Sequence, residues 1–320
     1  MKNCGRDTRT RIEKWVNLTR SFKLPTAGPT ILNSQFLILN FKKSKGLRFL
    51  ADKEQLYTNK IFLCGALPLL KTIVADVPSL KKKFEKVHCV YQVSCLDKDA
   101  PDGKWATHFV VNGDEWLIHA NKVASRVDKQ KYVELEFKSV EAMNAFFKGK
   151  IGPATLPKMK GVNFIYEFGV FMMALLKMAD LLGLEKPPEK EEDKRLLVKC
   201  YFYLLSAGIS TLNKMGHETI HDWTMKSPDR VYAWKVDGEP TVSAYIRIKA
   251  GKSKAGRGEY KRALPFFTMR FNNLDSALGI LMSIDDMIES VQKGKLIMDG
   301  APEFGAQIGE YMIMVGDYAK

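Results

Sequence analysis

The feature of this sequence that most constrains its fold is a repeat of secondary-structure signals on either side of a charged segment. Residues 185–194 read Glu-Lys-Pro-Pro-Glu-Lys-Glu-Glu-Asp-Lys, and two prolines inside a run of charges are typical of a linker. On each side, the apolar spacing predicts a helical region, a meander of strands, a helix, a short strand and a last amphipathic helix. The sequence therefore predicts two similar α+β units.

The length and composition of the chain agree with two such units. Its 320 residues suffice for two domains of about 150 residues each. With 46% hydrophobic and 27% charged residues, the chain can build buried cores. We predict a basic N-terminal arm over residues 1–46, a first domain over 47–184, a linker over 185–194 and a second domain over 195–320.

Short motifs also match between the two halves. Val90-Tyr91 opens the first meander as Val231-Tyr232 opens the second. Residues 139–151 and 283–296 both begin with a serine that could cap a helix, and both end in a Lys-Gly-Lys sequence before an aliphatic residue. On this alignment only the second half has an additional helical segment, at residues 273–282.

Several other segments give clear local signals. Asp102-Gly103 and Asn112-Gly113 predict tight turns between strands, and Pro68 predicts a break between two helices. Residues 132–137 alternate between apolar and polar types, which predicts a strand with one face in water. Residues 161–184 are apolar and rich in methionine, but their charges favour a core helix over a membrane span.

Three segments of the second half carry a resemblance to a known family. They are the strand 266–271 (Phe-Phe-Thr-Met-Arg-Phe), the helical segment 273–281 and the closing strand 293–300 (Lys-Gly-Lys-Leu-Ile-Met-Asp-Gly) before a last helix. This half resembles the sterol carrier protein type 2 family, and the first half resembles a divergent copy. The resemblance implies an α+β fold in which a curved, mostly antiparallel sheet is covered by helices that enclose an apolar tunnel. It also implies non-catalytic binding, and possible transfer, of a lipid or other hydrophobic ligand without a cofactor.

Apolar faces of the second half supply the candidate walls of such a tunnel. Fourteen methionines in the chain suit an adaptable apolar surface, although for any single residue ordinary core packing is the better explanation. We expect the second half to hold the main pocket. The candidate ligand-binding residues are Phe267, Met269, Phe271, Leu274, Leu278, Leu281, Met282, Met287, Phe304, Ile308, Tyr311, Met312 and Val315.

A different function is suggested by residues 217–221, which read His-Glu-Thr-Ile-His. This matches the H-E-x-x-H pattern in which two histidines one helical turn apart bind zinc and the glutamate acts as general base. The alternative to lipid binding is therefore a zinc-dependent hydrolase that uses His217 and His221 as ligands. Against it, Gly216 and Pro228 allow only a short helix, and no third ligand is identifiable.

The charge and the cysteines indicate partners and compartment. The net charge is +14, and part of it lies in the arm and in residues 251–258, which we expect to form a basic glycine loop. An anionic membrane surface is a possible partner, whereas nucleic acid is not expected because these runs lack interleaved aromatic residues. Five scattered cysteines without a C-x-x-C pair, and an N-terminus without an apolar signal core, favour the cytoplasm.

Overall fold

The computed structural model describes residues 45–125 and 129–319, with side chains from Lys53 onward. The predicted basic arm, except for its last two positions, lies outside the described residues.

The described part of the first half contains five helical segments, one π-helical turn and five strands. Its elements are α1 (Lys45–Ile61), the π-helical turn (Phe62–Ala66), α2 (Leu69–Asp76), α3 (Pro78–Phe84), β1 (His88–Leu96), β2 (Lys104–Asn112), β3 (Glu115–His119), β4 (Tyr132–Phe137), α4 (Val140–Phe147), β5 (Lys158–Lys160) and α5 (Ile165–Leu182). The predicted break falls where expected, because Pro68 is the N-cap residue of α2. Gly103 and Gly113 have positive φ angles in the turns around β2, as the turn motifs predict.

The second half follows the same plan of strands, with an additional helix after its fourth strand. Its elements are α6 (Glu191–Lys214), α7 (Glu218–Lys226), β6 (Arg230–Val236), β7 (Ser243–Lys249), β8 (Lys252–Arg257), β9 (Phe267–Phe271), α8 (Leu274–Leu281), α9 (Met287–Gln292), β10 (Leu296–Asp299) and α10 (Pro302–Ala319). Helix α6 begins inside the predicted linker, because Glu191, Glu192 and Asp193 form an acidic first turn that complements the helix dipole.

The two five-stranded sheets have the same topology. Sheet A has the order β3-β2-β1-β4-β5 and sheet B the order β10-β9-β6-β7-β8, so the first strand of each half is central. In each sheet the first and fourth strands are parallel and all other neighbours are antiparallel. The fold is thus α+β with mostly antiparallel sheets, as predicted. The division into two tandem domains at the boundaries given above stays a prediction.

The structure corrects our alignment of the helices after the fourth strand. The N-cap residue of α4 is Ser139, two positions after the last residue of β4. The N-cap residue of α8 is Asn273, two positions after the last residue of β9. Helix α4 therefore corresponds to α8, and the helix without a counterpart in the described first half is α9. The expectation that residues 273–282 form the additional helix was wrong.

The expected serine cap of the later helix was also wrong. Asp286 is the N-cap of α9 and accepts a hydrogen bond from the Glu289 N–H at 2.9 Å, whereas Ser283 has a φ of +59°. A serine before a helix and a Lys-Gly-Lys sequence after it can occur wherever a helix leads into a strand. The motif therefore did not show whether α8 or α9 corresponds to α4.

The inner faces of the two sheets are covered by helices that also pack against each other. The Thr107 hydroxyl of β2 donates to the Leu63 carbonyl in the π-helical turn at 2.7 Å, and α6 packs along β7 and β8. Helix α6 meets the first half closely: a Cβ on Gly65 would lie 3.0 Å from a Leu204 methyl, and one on Gly208 would lie 3.3 Å from an Ile61 methyl. Glycine at both positions lets these helices approach, and the core is continuous through residues 57–315.

Two of these core segments also have the length and composition of membrane-spanning helices. They are Lys53–Asp76 and Glu191–Lys214, and 83% and 78% of their most apolar windows are buried within the protein. The core helices of ordinary globular proteins meet the same criterion, so this is weak evidence for a membrane span.

The face of β4 that we predicted to lie in water is instead covered by a buried network of ion pairs. Glu134 is fully buried, and its Oε1 accepts hydrogen bonds from the Gln92 amide, the Ser94 hydroxyl and the Lys104 ammonium at 2.7–2.8 Å. Lys160 donates to its Oε2 at 3.0 Å. The expectation was wrong because alternation of apolar and polar residues shows which side chains are polar but not whether they are exposed. A charged residue can be buried when neighbouring strands supply its hydrogen-bond partners.

Residues 252–257 form the edge strand β8 and not the predicted glycine loop. Gly256 lies under the ring of Tyr245, where a Cβ would come within 2.1 Å of the ring carbon Cζ. This glycine serves the close approach of a cross-strand aromatic ring, which is a recognised use of glycine within a strand. The Arg257 guanidinium reaches the first half, donating to the Pro68 carbonyl and the Thr72 hydroxyl at 3.0 Å.

Candidate functional site

The structure brings the predicted ligand-binding residues together in the core of the second half. Phe267, Met269 and Phe271 point from β9 toward the helices, and each is at most 1% exposed. The residues from α8 and α10 lie in the same cluster, with Leu281, Met282, Met287 and Phe304 partly buried at its margin. A tunnel through this core, and the role of each of these side chains in binding, stay predictions.

One end of this core reaches the surface through an aromatic cluster, which we call the aromatic mouth: Trp223, Tyr232, Phe266 and Phe304. The Tyr232 ring centroid lies 5.3 Å from that of Trp223, 5.9 Å from that of Phe266 and 6.4 Å from that of Phe304. Phe266 is 39% exposed and stands edge-on to Phe304 at 4.9 Å, whereas Tyr232 is 1% exposed. The aromatic mouth thus connects solvent with the apolar interior.

The Tyr232 hydroxyl is buried, and among the described residues no hydrogen bond of normal geometry satisfies it. Burial raises the pKa of Tyr232, although Arg230 and Ser227 are near enough to oppose that shift; neither forms a hydrogen bond of normal geometry with the hydroxyl. A buried hydroxyl without a partner costs about 1–3 kcal/mol of stability. Such a group is a polar handle that a ligand oxygen could satisfy.

The first half contains the same tyrosine with its hydroxyl satisfied. Tyr91 pairs with Val133 on the parallel fourth strand, just as Tyr232 pairs with Phe267. The Tyr91 hydroxyl donates to the Glu167 carbonyl at 3.1 Å, and its ring stacks on Phe171 at 4.4 Å. The two halves therefore differ at this position in the way expected if only the second half receives a ligand there.

A cation lies at the entrance of the aromatic mouth. The Arg230 guanidinium carbon is 4.0 Å from the ring centroid of Phe266 and 5.0 Å from that of Phe304. Among the described residues Arg230 has no carboxylate partner, whereas Arg195, Arg247 and Arg270 each form ion pairs. A guanidinium next to aromatic rings can form paired hydrogen bonds with a carboxylate or phosphate.

The wall beside this core is made deformable by methionines under α10. A Cβ on Gly305 would lie 2.4 Å from the Met298 sulfur, and one on Gly309 would lie 3.0 Å from the Met287 methyl. We call Met287, Met298 and these two glycines the methionine seam. Unbranched methionine side chains change rotamer easily, so α10 can shift over the seam with less strain than over branched side chains.

The two histidines of the H-E-x-x-H motif are held by different neighbours. His217 precedes α7 as its N-cap residue and contacts Tyr57 and Tyr318, whereas the His221 ring nitrogen Nδ1 lies 3.0 Å from the Asn213 Oδ1. Within the described ranges, no cluster of three or more His, Cys, Asp or Glu side chains could hold a metal ion. The zinc-hydrolase alternative gains no support from this geometry.

Sequence reasoning missed Arg230 and the orphaned Tyr232 hydroxyl. The repeat of Val90-Tyr91 as Val231-Tyr232 drew attention to the tyrosine as a strand residue only. Whether a hydroxyl finds a partner depends on what packs around it from α7, β9 and α10, and no local motif encodes that.

Comparison with known proteins finds similar solved structures but no similar sequence. No family model and no curated protein sequence matches the chain. Solved structures do match. One is the solution structure of a conserved hypothetical protein from Thermus thermophilus, described as a possible sterol carrier protein, with 17% identity and a TM-score of 0.27 over 36% of this chain and 85% of that one. Another is UbiJ-SCP2, a ubiquinone synthesis protein, with 17% identity and a TM-score of 0.25 over 37% of this chain and 96% of that one.

Both structures are named after sterol carrier proteins, the first only as a possible one, and each match covers about a third of this chain. They do not show a second copy of the domain.

Proposed function

We propose that this protein binds a lipid or other amphiphilic molecule without catalysing a reaction and without a cofactor. The apolar part of the ligand enters the core of the second half between sheet B and α10, and the polar head lies at the aromatic mouth. The observation that carries the proposal is the Tyr232 hydroxyl, which is buried among aromatic rings without a partner in the described chain. Ligand sites are mostly apolar with a few placed polar groups, and Tyr232 and Arg230 are such groups.

The chemistry of the entrance favours an anionic head group. Arg230 has no carboxylate partner within the described chain, so a ligand carboxylate or phosphate can pair with it. An oxygen of the same head group can accept a hydrogen bond from the Tyr232 hydroxyl. A fatty acid or an acidic lipid provides both, and its chain would displace the flexible side chains of the methionine seam.

Replacing Arg230 by glutamine is expected to weaken binding of a fluorescent fatty acid by about tenfold, the loss of one charge-assisted contact. Binding of the corresponding fluorescent fatty alcohol is expected to change little, because it carries no charge for Arg230 to neutralise. The measurement is a fluorescence titration of both probes into each protein. Lys235→Gln, on the same strand, serves as a control for general loss of positive charge.

The proposal would be contradicted if neither probe binds the wild-type protein and organic extraction of freshly purified protein yields no lipid. Equal weakening of the acid and the alcohol by Arg230→Gln would instead place the head group elsewhere.

We further propose that the protein meets anionic membranes, where it could take up or release its ligand. Lys252 and Lys254 are exposed on the edge strand β8, although Arg257 is engaged with the first half. Each basic residue near such a surface contributes about 1 kcal/mol of attraction. Flotation with anionic vesicles should exceed flotation with neutral ones and should fall in Lys252→Gln/Lys254→Gln; equal flotation in all cases would remove the proposal.

The four described cysteines are free thiols, which supports a cytoplasmic location.

A further inference from the structure

A cavity whose lining shares no residue with the aromatic mouth lies on the side where α1 and α10 meet. Its volume is about 580 Å³, within the range of small-molecule sites. We call it the acidic groove. Its polar walls are Glu54, Thr58, His217, Glu310, Asp317 and Tyr318.

The acidic groove is negative in a protein whose total charge is strongly positive. Three carboxylates, Glu54, Glu310 and Asp317, line it against one ammonium group, Lys148. Burial and the neighbouring Lys150 lower the pKa of Lys148, while Asp317 opposes that shift. Three carboxylates against one ammonium group leave the lining with a net negative charge. Lys53 lies just outside, with its ammonium 5.7 Å from the ring centroid of Tyr57. These charges favour a cationic ligand.

His217 gives the groove an unsatisfied hydrogen-bonding atom. Its ring lies 5.1 Å from the ring of Tyr57 and 6.1 Å from that of Tyr318, and its Nδ1 is buried without a partner among the described residues. Burial lowers the pKa of His217, although Glu54 opposes the shift, so the imidazole is neutral at pH 7. When the proton is on Nε2, Nδ1 is an acceptor and requires an N–H or O–H donor.

The aromatic wall is held in place by a hydrogen bond to one of the carboxylates. The Tyr318 hydroxyl donates to the Glu54 Oε2 at 2.6 Å, which leaves the other Glu54 oxygen available. Aromatic faces next to carboxylates are the surroundings that bind organic ammonium groups, through cation–π attraction and charge-assisted hydrogen bonds. Ile313 and Met314 add apolar surface for a methylene chain.

We propose that the acidic groove binds an alkylammonium group, as found in polyamines and in the amino heads of amphiphiles. The ammonium donates to the His217 Nδ1 and to Glu54, and Glu310 and Asp317 supply the remaining negative charge. The methylene chain lies along Ile313, Met314 and the Tyr318 ring. This site is independent of the lipid site at the aromatic mouth, and it gives His217 a role other than metal binding.

The test is calorimetric titration of the full chain with spermidine and with octylamine at neutral pH and physiological ionic strength. Octanol and octanoate are the neutral and anionic controls. We expect at least one amine to bind in a saturable manner and neither control to compete with it. Spermidine alone would identify a free polyamine as the ligand class; octylamine alone would identify an amphiphile head.

Variants connect binding to the groove. Glu310→Gln/Asp317→Asn and, separately, His217→Phe are each expected to weaken amine binding by about tenfold. Glu303→Gln removes an acid from the first turn of the same helix α10, outside the groove, and should leave binding unchanged, as should Arg230→Gln. Thermal unfolding of each variant is compared with that of the wild type. If one of the two groove variants is misfolded, amine binding by the other tests the proposal. Absence of amine binding at millimolar concentrations, or unchanged binding in Glu310→Gln/Asp317→Asn, would overturn the proposal.

Discussion

Replacing Glu134 by glutamine is expected to lower the free energy of unfolding by about 3 kcal/mol at pH 7, because it leaves Lys104 and Lys160 without their buried counterion. Burial acts to raise the pKa of Glu134, but the hydrogen bonds from Lys104, Ser94, Lys160 and Gln92 together outweigh it and lower that pKa to about 2. The carboxylate is therefore stabilised in the folded protein relative to the unfolded chain, where its pKa is near 4.5.

The sign of the pH dependence follows from that lowered pKa. Between pH 4.5 and pH 2 the unfolded chain binds a proton that folded Glu134 does not, so stability falls as the pH falls. The difference in free energy of unfolding between wild type and Glu134→Gln should have its full value above pH 4.5 and about half that value at pH 3. Urea unfolding at pH 7 and pH 3 measures both values.

Glu136→Gln is the matched control for this network. Glu136 bonds to the same two lysines, but its side chain is 13% exposed and can exchange its partners for water. We expect Glu136→Gln to lower the free energy of unfolding by about 1 kcal/mol. Equal costs for the two variants, or a Glu134→Gln cost that is independent of pH, would contradict the account of a buried, charge-dependent network.

Replacing Lys60 by methionine is expected to stabilise the protein at pH 7 by up to about 3 kcal/mol. Lys60 is 2% exposed, and its ammonium lies 3.1 Å from the ring centroid of Trp105 and donates a hydrogen bond to Asn121. Burial lowers its pKa to about 8, while Cys64, Cys95 and Asp97 act in the opposite direction. Burial raises the pKa of both cysteines, that of Cys95 to about 11, so these thiols stay neutral near pH 8.

The pH dependence has the same sign as for Glu134, because the folded-state pKa is again lower than the unfolded one, but here burial disfavours the charged form. Below pH 8 both folded and unfolded chains carry the Lys60 proton, so the cost of burying the charge is fully present. Between pH 8 and about 10.5 only the unfolded chain keeps the proton, so this cost disappears as the pH rises. The advantage of Lys60→Met should therefore shrink between pH 7 and pH 9.5 in urea unfolding. A variant that is less stable than wild type by the same amount at both pH values would show that the contacts with Trp105 and Asn121 outweigh the burial of charge.

Local signals in the sequence predicted most of the strand framework. The turns at Asp102-Gly103 and Asn112-Gly113 and the break at Pro68 depend on the backbone preferences of single residues, and the structure has them where expected. The order of elements followed from apolar spacing, which is also a local property. The resemblance of the second half to sterol carrier proteins was carried by short segments.

The features that sequence missed depend on partners from distant parts of the chain. Glu134 is buried because residues on three other strands bind it, and Gly256 sits in a strand because Tyr245 lies over it. The correspondence of α4 with α8 became clear only from the strands that precede them. The orphaned hydroxyl of Tyr232 is likewise a property of its surroundings, since Tyr91 also follows a valine on the first strand of its sheet and has a satisfied hydroxyl.

The most direct test of ligand binding in the second half compares Tyr232→Phe with Tyr91→Phe. Removing the orphaned Tyr232 hydroxyl should leave the ligand-free protein as stable or more stable, yet weaken binding of a fluorescent fatty acid by about tenfold. Removing the satisfied Tyr91 hydroxyl should cost about 1 kcal/mol of stability and leave binding unchanged. Fatty-acid titration of the two variants, alongside thermal unfolding of each, gives the answer. Unchanged binding in Tyr232→Phe, or loss of binding in a folded Tyr91→Phe, would contradict the assignment.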